Sequence, residues 1–346
     1  GKLAYALGMS ATDVVALLEA TYGLEGGTDA WLKAVAGAAA SAFGVPNVGA
    51  YAVLYDASDV HDFRVTHVAA TPGLAPATFN LIAHDFAALY RAHPALTEAV
   101  FRKTPFGPGR DLPMPEALQG VFAQLHAHGI HDILGLNGVN PDGRGLHVGV
   151  LVAAGSAPTP IANDLLARVS SHLGAGYRLY ARLTRPSAEE GDAVIGADGK
   201  VEHAVEGARL PQAREALADA ARAIERARGA IRKRDPERAV AQWKALVDAR
   251  WSLVDRFERD GKHYLVAHRN DPPTGAVAEL SERERQVTAL AAVGHANKMI
   301  AYELGIAVST VGVLLGRAAR RLGVKTRAEL IAAYEAHANA PASVIR

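Results

Sequence analysis

The last quarter of the chain constrains its fold most, because helix start and stop signals follow one another there at short, regular intervals. Ser281 and Glu284 form an S-x-x-E pair, in which each side chain satisfies the other's backbone N–H, so a helix begins at that point. Val287, Leu290 and Ala291 give this helix one apolar face, and Gly294 stands where a left-handed end-cap belongs. A second helix, Asn297 to Leu304, stops at Gly305; a turn leads to Ser309, which is placed to cap a third helix reaching Leu322, and Gly323 closes it. Thr326 and Glu329 repeat the capping pattern for a fourth. Residues 277–338 thus read as an all-α domain of short helices joined by tight turns, the middle two a helix-turn-helix.

Five collinear words carry a resemblance: LSERERQV (Leu280 to Val287), GHANKMIAYELGI (Gly294 to Ile306), STV (Ser309 to Val311), RRLGV (Arg320 to Val324) and TRAEL (Thr326 to Leu330). Together they resemble the LuxR-type (GerE-like) helix-turn-helix of bacterial transcription regulators. The resemblance implies that the helix after Ser309 enters the major groove of double-stranded DNA. It implies Val313 against a thymine methyl, Arg317 on a base or phosphate, and phosphate contacts from Lys298, Ser309, Thr310, Arg320, Arg321, Lys325 and helix N-termini, with Asn297 in the same DNA-facing set. On a helical wheel Val311, Leu315, Ala318 and Leu322 share the buried face, leaving Gly312, Val313, Gly316, Arg317 and Arg320 outward.

Three positions depart from the family's pattern. Gly312 stands where a lysine commonly follows the STV word, Leu314 replaces a histidine, and Gly316 replaces another polar or basic residue. Each interior glycine costs about 1 kcal/mol relative to alanine, which weakens the reading helix. The expectation is DNA binding that is modest, salt-sensitive and weakly base-selective. A second reading keeps the helix-turn-helix but gives it to protein contact, through an apolar Val313–Leu314 surface.

Upstream, residues 9–185 alternate helix and strand signals. Ala11 to Ala20 and Thr28 to Phe43 have helical periodicity, and Gly49 to Asp56 and Phe63 to Ala70 read as strands joined by the polar turn Ala57 to Asp62. Helical stretches Phe79 to Arg91 and Glu116 to His128 follow. A hairpin then pairs Asp132 to Asn137 with Leu146 to Ala153 around NPDGRG, before a closing helix from Pro160 to Ala181. This order looks like a GAF domain, an antiparallel sheet with helices. Such a domain implies a pocket for a small-molecule signal, here lined by Tyr51, Val53, Tyr55, Phe79, Phe86, Tyr90, Phe122 and Val148.

Residues 187–270 open with a hairpin, Ala193 to His203, and are similar to a truncated PAS domain, a small α/β region suited to dimerisation or relay. Their helix Gln212 to Lys233 repeats Leu217, Ala220, Ile224, Ala227 and Ile231 at coiled-coil spacing over too few heptads to require a coiled coil. A second helix follows the break at Asp235-Pro236, and Trp251 to His268 reads as a hairpin about Asp260-Gly261. Residues 271–276 are a proline-broken linker. The fold class is therefore multidomain α+β. Half-site pairing on DNA calls for a homodimer, joined through the 212–233 or the 160–181 helix.

Charge supports this division. The net charge is −2 over residues 1–185, zero over 186–276 and +3 over 277–346, so only the last part leans towards a polyanion. The chain has no cysteine, which excludes disulfides, thiol nucleophiles and Cys-ligated metal. No apolar run reaches the roughly 18 residues of a membrane helix and no secretory signal precedes Met9, so a cytoplasmic protein without membrane contact is expected. His126, His128 and His131 lie close together without a supporting carboxylate, and Gly129 interrupts their helix, so no metal or other cofactor is expected. Neither a G-x-S-x-G, a G-x-x-x-x-G-K-[ST] nor an H-E-x-x-H word occurs, nor the acidic cluster of a receiver domain, so an enzyme is not expected.

Overall fold

The computed structural model describes residues 13–103, 106–112, 116–155, 161–184, 191–244, 246–247, 251–259, 262–269 and 280–338. The expected linker 271–276 and the Asp260-Gly261 turn lie outside them.

Two helices, α1 (Val14–Tyr22) and α2 (Gly27–Ala42), lead into β1 (Asn47–Asp56) and β2 (Arg64–Ala70). A helical excursion follows: α3 (Pro76–Asn80), a wide π-type turn over Leu81–Asp85, α4 (Phe86–Ala92), α5 (Pro94–Thr97) and a second π-type turn over Glu98–Lys103. Then come β3 (Phe106–Pro108), α6 (Glu116–Ala127), β4 (Ile130–Val139), β5 (Arg144–Ala153) and the long α7 (Asn163–Leu183). The strands form one antiparallel sheet in the order β2-β1-β5-β4-β3. The segment from Pro94 to Pro108 was not expected from sequence. Its elements are short and proline-flanked, and their apolar residues Leu96, Val100 and Phe101 fill the sheet's core instead of following one helical period.

Strand alternation splits the sheet into two faces. Ala50, Ala52, Leu54, Leu136, Leu146, Val148 and Val150 point towards α1, α2 and α7, while Tyr51, Val53, Tyr55, Ile133 and Leu151 point towards the excursion and α6. Glycine sets how closely α7 can lie. A Cβ on Gly138 of β4 would stand 2.2 Å from the backbone nitrogen of Gly174 and 2.3 Å from the carbonyl carbon of Leu173, so only a bare Cα lets the helix meet the strand.

A second antiparallel sheet, in the order β7-β6-β9-β8, contains β6 (Ala193–Gly196), β7 (Val201–Ala204), β8 (Trp251–Arg259) and β9 (Lys262–Arg269). Between its hairpins lie α8 (Pro211–Arg228), α9 (Ile231–Arg234) and α10 (Pro236–Gln242). The expected single helix over 212–233 is thus broken after Arg228, where Gly229 leaves the helical region with ψ −149°. Its apolar seam, Leu217, Ala220, Ile224 and Ala227, is buried in the core that α1, α2, α7 and the first sheet also share. That seam is spent inside the chain and offers no surface to a second copy. Arg232 ties the two blocks further, pairing with Asp13 at 2.7 Å and Glu19 at 3.0 Å.

The C-terminal region has its own core around Val287, Leu290, Ile300, Leu304, Val311, Leu315 and Tyr334, joined by Val139 from β4 and Leu246. Its elements are α11 (Glu282–Ala292), α12 (Asn297–Leu304), α13 (Val308–Arg321) and α14 (Arg327–Ala338). Four helices and no strand occupy the described residues 280–338, as the capping pattern requires.

Candidate nucleic-acid interface

The caps of this module act as the sequence predicts, with one exception. The Ser281 N–H donates to Glu284 Oε2 at 2.8 Å while the Glu284 N–H donates to Ser281 Oγ at 3.4 Å. Thr326 and Glu329 repeat the exchange at 3.0 and 3.2 Å. Gly294, Gly305 and Gly323 have φ of 88°, 66° and 69°, the left-handed ends that glycine adopts without strain. The exception is Ser309. Helix α13 starts two residues earlier than that cap implies, with Ala307 as its N-cap and no side-chain cap, so Ser309 lies within the first turn.

Helices α12 and α13 make the helix-turn-helix, and α13 turns its outward face to solvent. Val313 is 52% exposed, and Gly312, Gly316, Arg317 and Arg320 are exposed around it. Beneath them Val311, Leu314, Leu315 and Ala318 are buried. Leu314 therefore belongs to the core at 8% exposure, which corrects the expectation of a Val313–Leu314 surface patch. The helical wheel places Leu322 inward as well, but Leu322, the C-cap of α13, is only partly buried. A Cβ on Gly312 or Gly316 would meet no atom within 4 Å, so both glycines face open space.

The expected phosphate-facing side chains divide by what they already hold. Ser309 and Lys325 are exposed, Thr310 is half-buried, and Arg320 folds its Nε onto the Gly316 carbonyl at 3.3 Å. Arg321 pairs with Glu284 at 3.3 Å, tying the end of α13 to the first capping box. Burial alone would raise the Glu284 carboxyl; the Ser281 hydrogen bonds and the charges of Arg321 and Arg317 outweigh it and hold it below the usual range. Asn297 accepts from Arg327 at 2.7 Å, and Arg327 also reaches the His295 carbonyl at 2.6 Å. Arg327 was not singled out in the sequence, where it looks like one more exposed cation in a first turn.

Lys298 is the displaced member of the set. Its Nζ, on α12, is ion-paired with Asp164 at the start of α7. Around this contact α12 lies on α7. Tyr302 Oη donates to the carbonyls of Val240 at 2.6 Å and Trp243 at 2.9 Å, and His172 Nε2 stands 2.7 Å away. His172 Nδ1 is 2.9 Å from Tyr22 Oη, so a neutral imidazole protonated at Nε2 satisfies every partner. Glu303, 2% exposed, pairs with Arg178 of α7 at 2.8 Å and with His295 at 3.2 Å. Burial would raise this carboxyl too, but Arg178 and His295 hold it below its ordinary range. Tyr302 and Glu303 carry no sequence signal for this role, since both occupy nominally outward turns of a short helix.

The expected sensor pocket is only partly assembled. Tyr51, Phe86, Tyr90 and Phe122 do line one cavity of about 50 Å³, together with Phe106, Asn137 and His147. Val148 is not among them, because it pairs across from Ala52 and points to the opposite face of the sheet. Val53 and Tyr55 are core residues beside the cavity, the Tyr55 hydroxyl donating to the Phe101 carbonyl at 3.1 Å, and Phe79 is absent from the lining. Polar groups at the cavity satisfy one another: His147 Nδ1 is 3.0 Å from Asn137 Oδ1, and its Nε2 is 3.3 Å from Tyr51 Oη. Burial lowers His147 to about 4. His126 and His131 stack at 5.8 Å, and among the described residues no group of three potential ligands could hold a metal ion.

Short four-helix architecture, a left-handed glycine between α12 and α13 and an exposed face on α13 define a helix-turn-helix module. Residues 278–333 match the family model described as bacterial regulatory proteins, luxR family, so this segment is a LuxR-type helix-turn-helix domain. No curated protein matches the chain. Among the described residues no single helix is long and apolar enough to cross a membrane.

Proposed function

We propose that the chain is a one-component, non-catalytic transcription regulator of the cytoplasm whose LuxR-type module binds double-stranded DNA as part of a homodimer. In this reading the five-stranded block is a GAF-like sensor of a small-molecule signal, and the four-stranded block is a PAS-like relay. The observation that carries the DNA-binding reading is the solvent-facing side of α13, with Val313, Arg317 and Arg320 outward on a domain matched to the luxR family. A helix so placed fits the major groove, and its cations fit the phosphates beside it. A protein-docking role for the same helix loses its apolar platform, because Leu314 is buried.

Fluorescence anisotropy on a mixed pool of duplexes at low salt tests this. Arg320→Ala is expected to weaken binding similarly on all sequences and to flatten the dependence of log K on log salt by about one unit. Arg317→Ala is expected to change which duplexes are preferred. An unchanged salt slope in both variants would remove α13 from the DNA interface. For the dimer, light scattering in the presence of DNA is expected to give two chains per duplex, and one chain per duplex would refute it.

A further inference from the structure

The cavity under the helical excursion has a floor made by missing side chains. One cross-strand row of the first sheet reads Tyr51, Gly149, Gly135 and Gly107, on β1, β5, β4 and β3 in turn. Glycine inside a strand weakens it and often marks the close approach of another group. At Gly149 that group is present, since a Cβ there would stand 2.3 Å from the Tyr51 ring. The next two glycines are uncovered. A Cβ on Gly107 would meet no atom within 4 Å, and one on Gly135 would meet His147 Cε1 at 3.3 Å and the Gly107 carbonyl oxygen at 3.6 Å. Gly135 and Gly107 therefore form a bare shelf of backbone lining the cavity.

Across from the shelf the covering helices present rings, Phe86 and Tyr90 of α4 and Phe122 of α6. Two π-type turns carry this roof, Leu81–Asp85 running directly into α4 and Glu98–Lys103 supplying Val100. Such turns are frequent at functional sites. Among the described residues that line the cavity none is acidic or cationic at neutral pH, so an ion entering it would lose its hydration without gaining a partner. His147 is held neutral by burial. Its Nδ1 proton goes to Asn137 Oδ1, whose amide donates to the Val100 carbonyl, and this leaves Nε2 as an acceptor. The Tyr51 hydroxyl reaches that nitrogen at 3.3 Å, long for a hydroxyl donor. At about 50 Å³ the cavity is far below the roughly 300 Å³ of an ordinary ligand pocket, which excludes a nucleotide or a long acyl chain.

We propose that the shelf binds an uncharged, single-ring hydroxyl compound of the phenol type. Its ring lies on Gly135 and Gly107, edge-to-face with the surrounding aromatic side chains. Its hydroxyl donates to His147 Nε2 and accepts from Tyr51 Oη, so two hydrogen bonds of ordinary length replace one long one. Phe106, half-buried on the edge strand β3, makes room by turning outward. This assignment rests on the sensor reading of the five-stranded block given above and names the chemistry of its signal.

Titration calorimetry of the full chain tests it with phenol, toluene and benzoate, which differ at one position of the ring. Phenol is expected to bind once per chain with a Kd below about 1 mM. Toluene is expected to bind about three- to tenfold more weakly for want of the hydroxyl, and benzoate not measurably, because its charge finds no partner. Gly135→Val fills the shelf with a residue that strands favour and should weaken phenol and toluene alike by at least about tenfold. Tyr51→Phe keeps the ring over Gly149 and should remove most of phenol's advantage while leaving toluene's affinity unchanged, a result that a collapsed cavity does not give. The assignment is wrong if phenol fails to bind below that limit, if benzoate binds as tightly, or if Tyr51→Phe keeps the full preference for phenol. It is equally wrong if a Gly135→Val chain that melts like the wild type binds phenol undiminished; where that variant does not fold, the Tyr51→Phe preference decides. Anisotropy with DNA separates binding from sensing. Phenol that occupies the shelf and leaves DNA affinity unchanged upholds the site and overturns the sensor reading, whereas benzoate that binds in its place and shifts DNA affinity overturns the ligand class and leaves the sensor reading standing.

Discussion

His172, between the hydroxyls of Tyr22 and Tyr302, and His147, between Tyr51 and Asn137, are kept neutral by burial, which takes His172 to about 3 and His147 to about 4. In the unfolded chain both titrate near 6.5. Between the folded and unfolded values the unfolded chain binds more protons, so stability is complete above about pH 6.5 and is lost as the pH falls through that value, by up to about 1.4 kcal/mol per pH unit for each histidine. The charges facing His172 partly cancel, Glu303 favouring its protonation and Arg168 opposing it. Glu303, held low from its ordinary 4.5, adds its own loss only in more acid solution. The window from pH 7 to 5.5 therefore isolates the histidines. Thermal melts across it are expected to fall steadily for the wild type and to flatten by about half in His147→Gln, which is less stable at pH 7 but has one proton-binding site fewer. Parallel curves for the two proteins would refute the assignment. None of this was legible locally: His172, in α7, finds Tyr302 130 positions away, and His147, in β5, finds Tyr51 96 positions away. The exposed cations of α13 were legible because one helix and its caps decide their direction.

At the scale of elements, glycine shows why local signals succeed in some places and fail in others. Gly294, Gly305 and Gly323 could be read as end-caps because a left-handed residue after an amphipathic run has one common cause. Gly138 could not, since the reason for it lies in α7, which lies against it across the sheet. The break after Arg228 was missed for a related reason, the apolar spacing of α8 continuing to Ile231 although the backbone does not. Substitutions should separate the two kinds of glycine. Gly138→Ala drives a Cβ into the backbone of α7 and is expected to cost about 1–3 kcal/mol, whereas Gly316→Ala, pointing into open space on an exposed helix, is expected to gain about 1 kcal/mol. Urea midpoints would check both. Gly312→Lys should gain stability similarly and, by adding a cation to the outward face, tighten DNA binding with a steeper salt slope. A loss of stability in Gly316→Ala would mean that α13 does not keep this helical backbone in solution.

Across the whole molecule, composition shifts and prolines suggested three successive blocks, but the packing groups them differently. The seam of α8, Trp243 and Trp251 lie in the same core as Val14, Trp31 and Leu173, so the first two blocks are continuous inside, and Tyr22 stacks on Trp243 at 6.1 Å. Residues 280–338 keep a core of their own and meet the rest mainly through the polar joint between α12 and α7, with Val139 and Leu246 as small apolar bridges. A shared core unfolds as a unit, while a polar joint transmits little cooperativity. Calorimetry of the full chain is therefore expected to show two transitions. The smaller one, from the C-terminal module, should carry about 40 kcal/mol near 60 °C at about 0.7 kcal/mol per residue, and the larger should cover both sheets together. Ser171 and Met299 touch across this joint, so an oxidised Ser171→Cys/Met299→Cys variant ties the module to α7 and should raise the smaller transition towards the larger. Three separate transitions would mean that the two sheets do not share a core in solution. A single transition in the reduced wild type would mean that the joint couples the module to the body more strongly than its polar contacts allow.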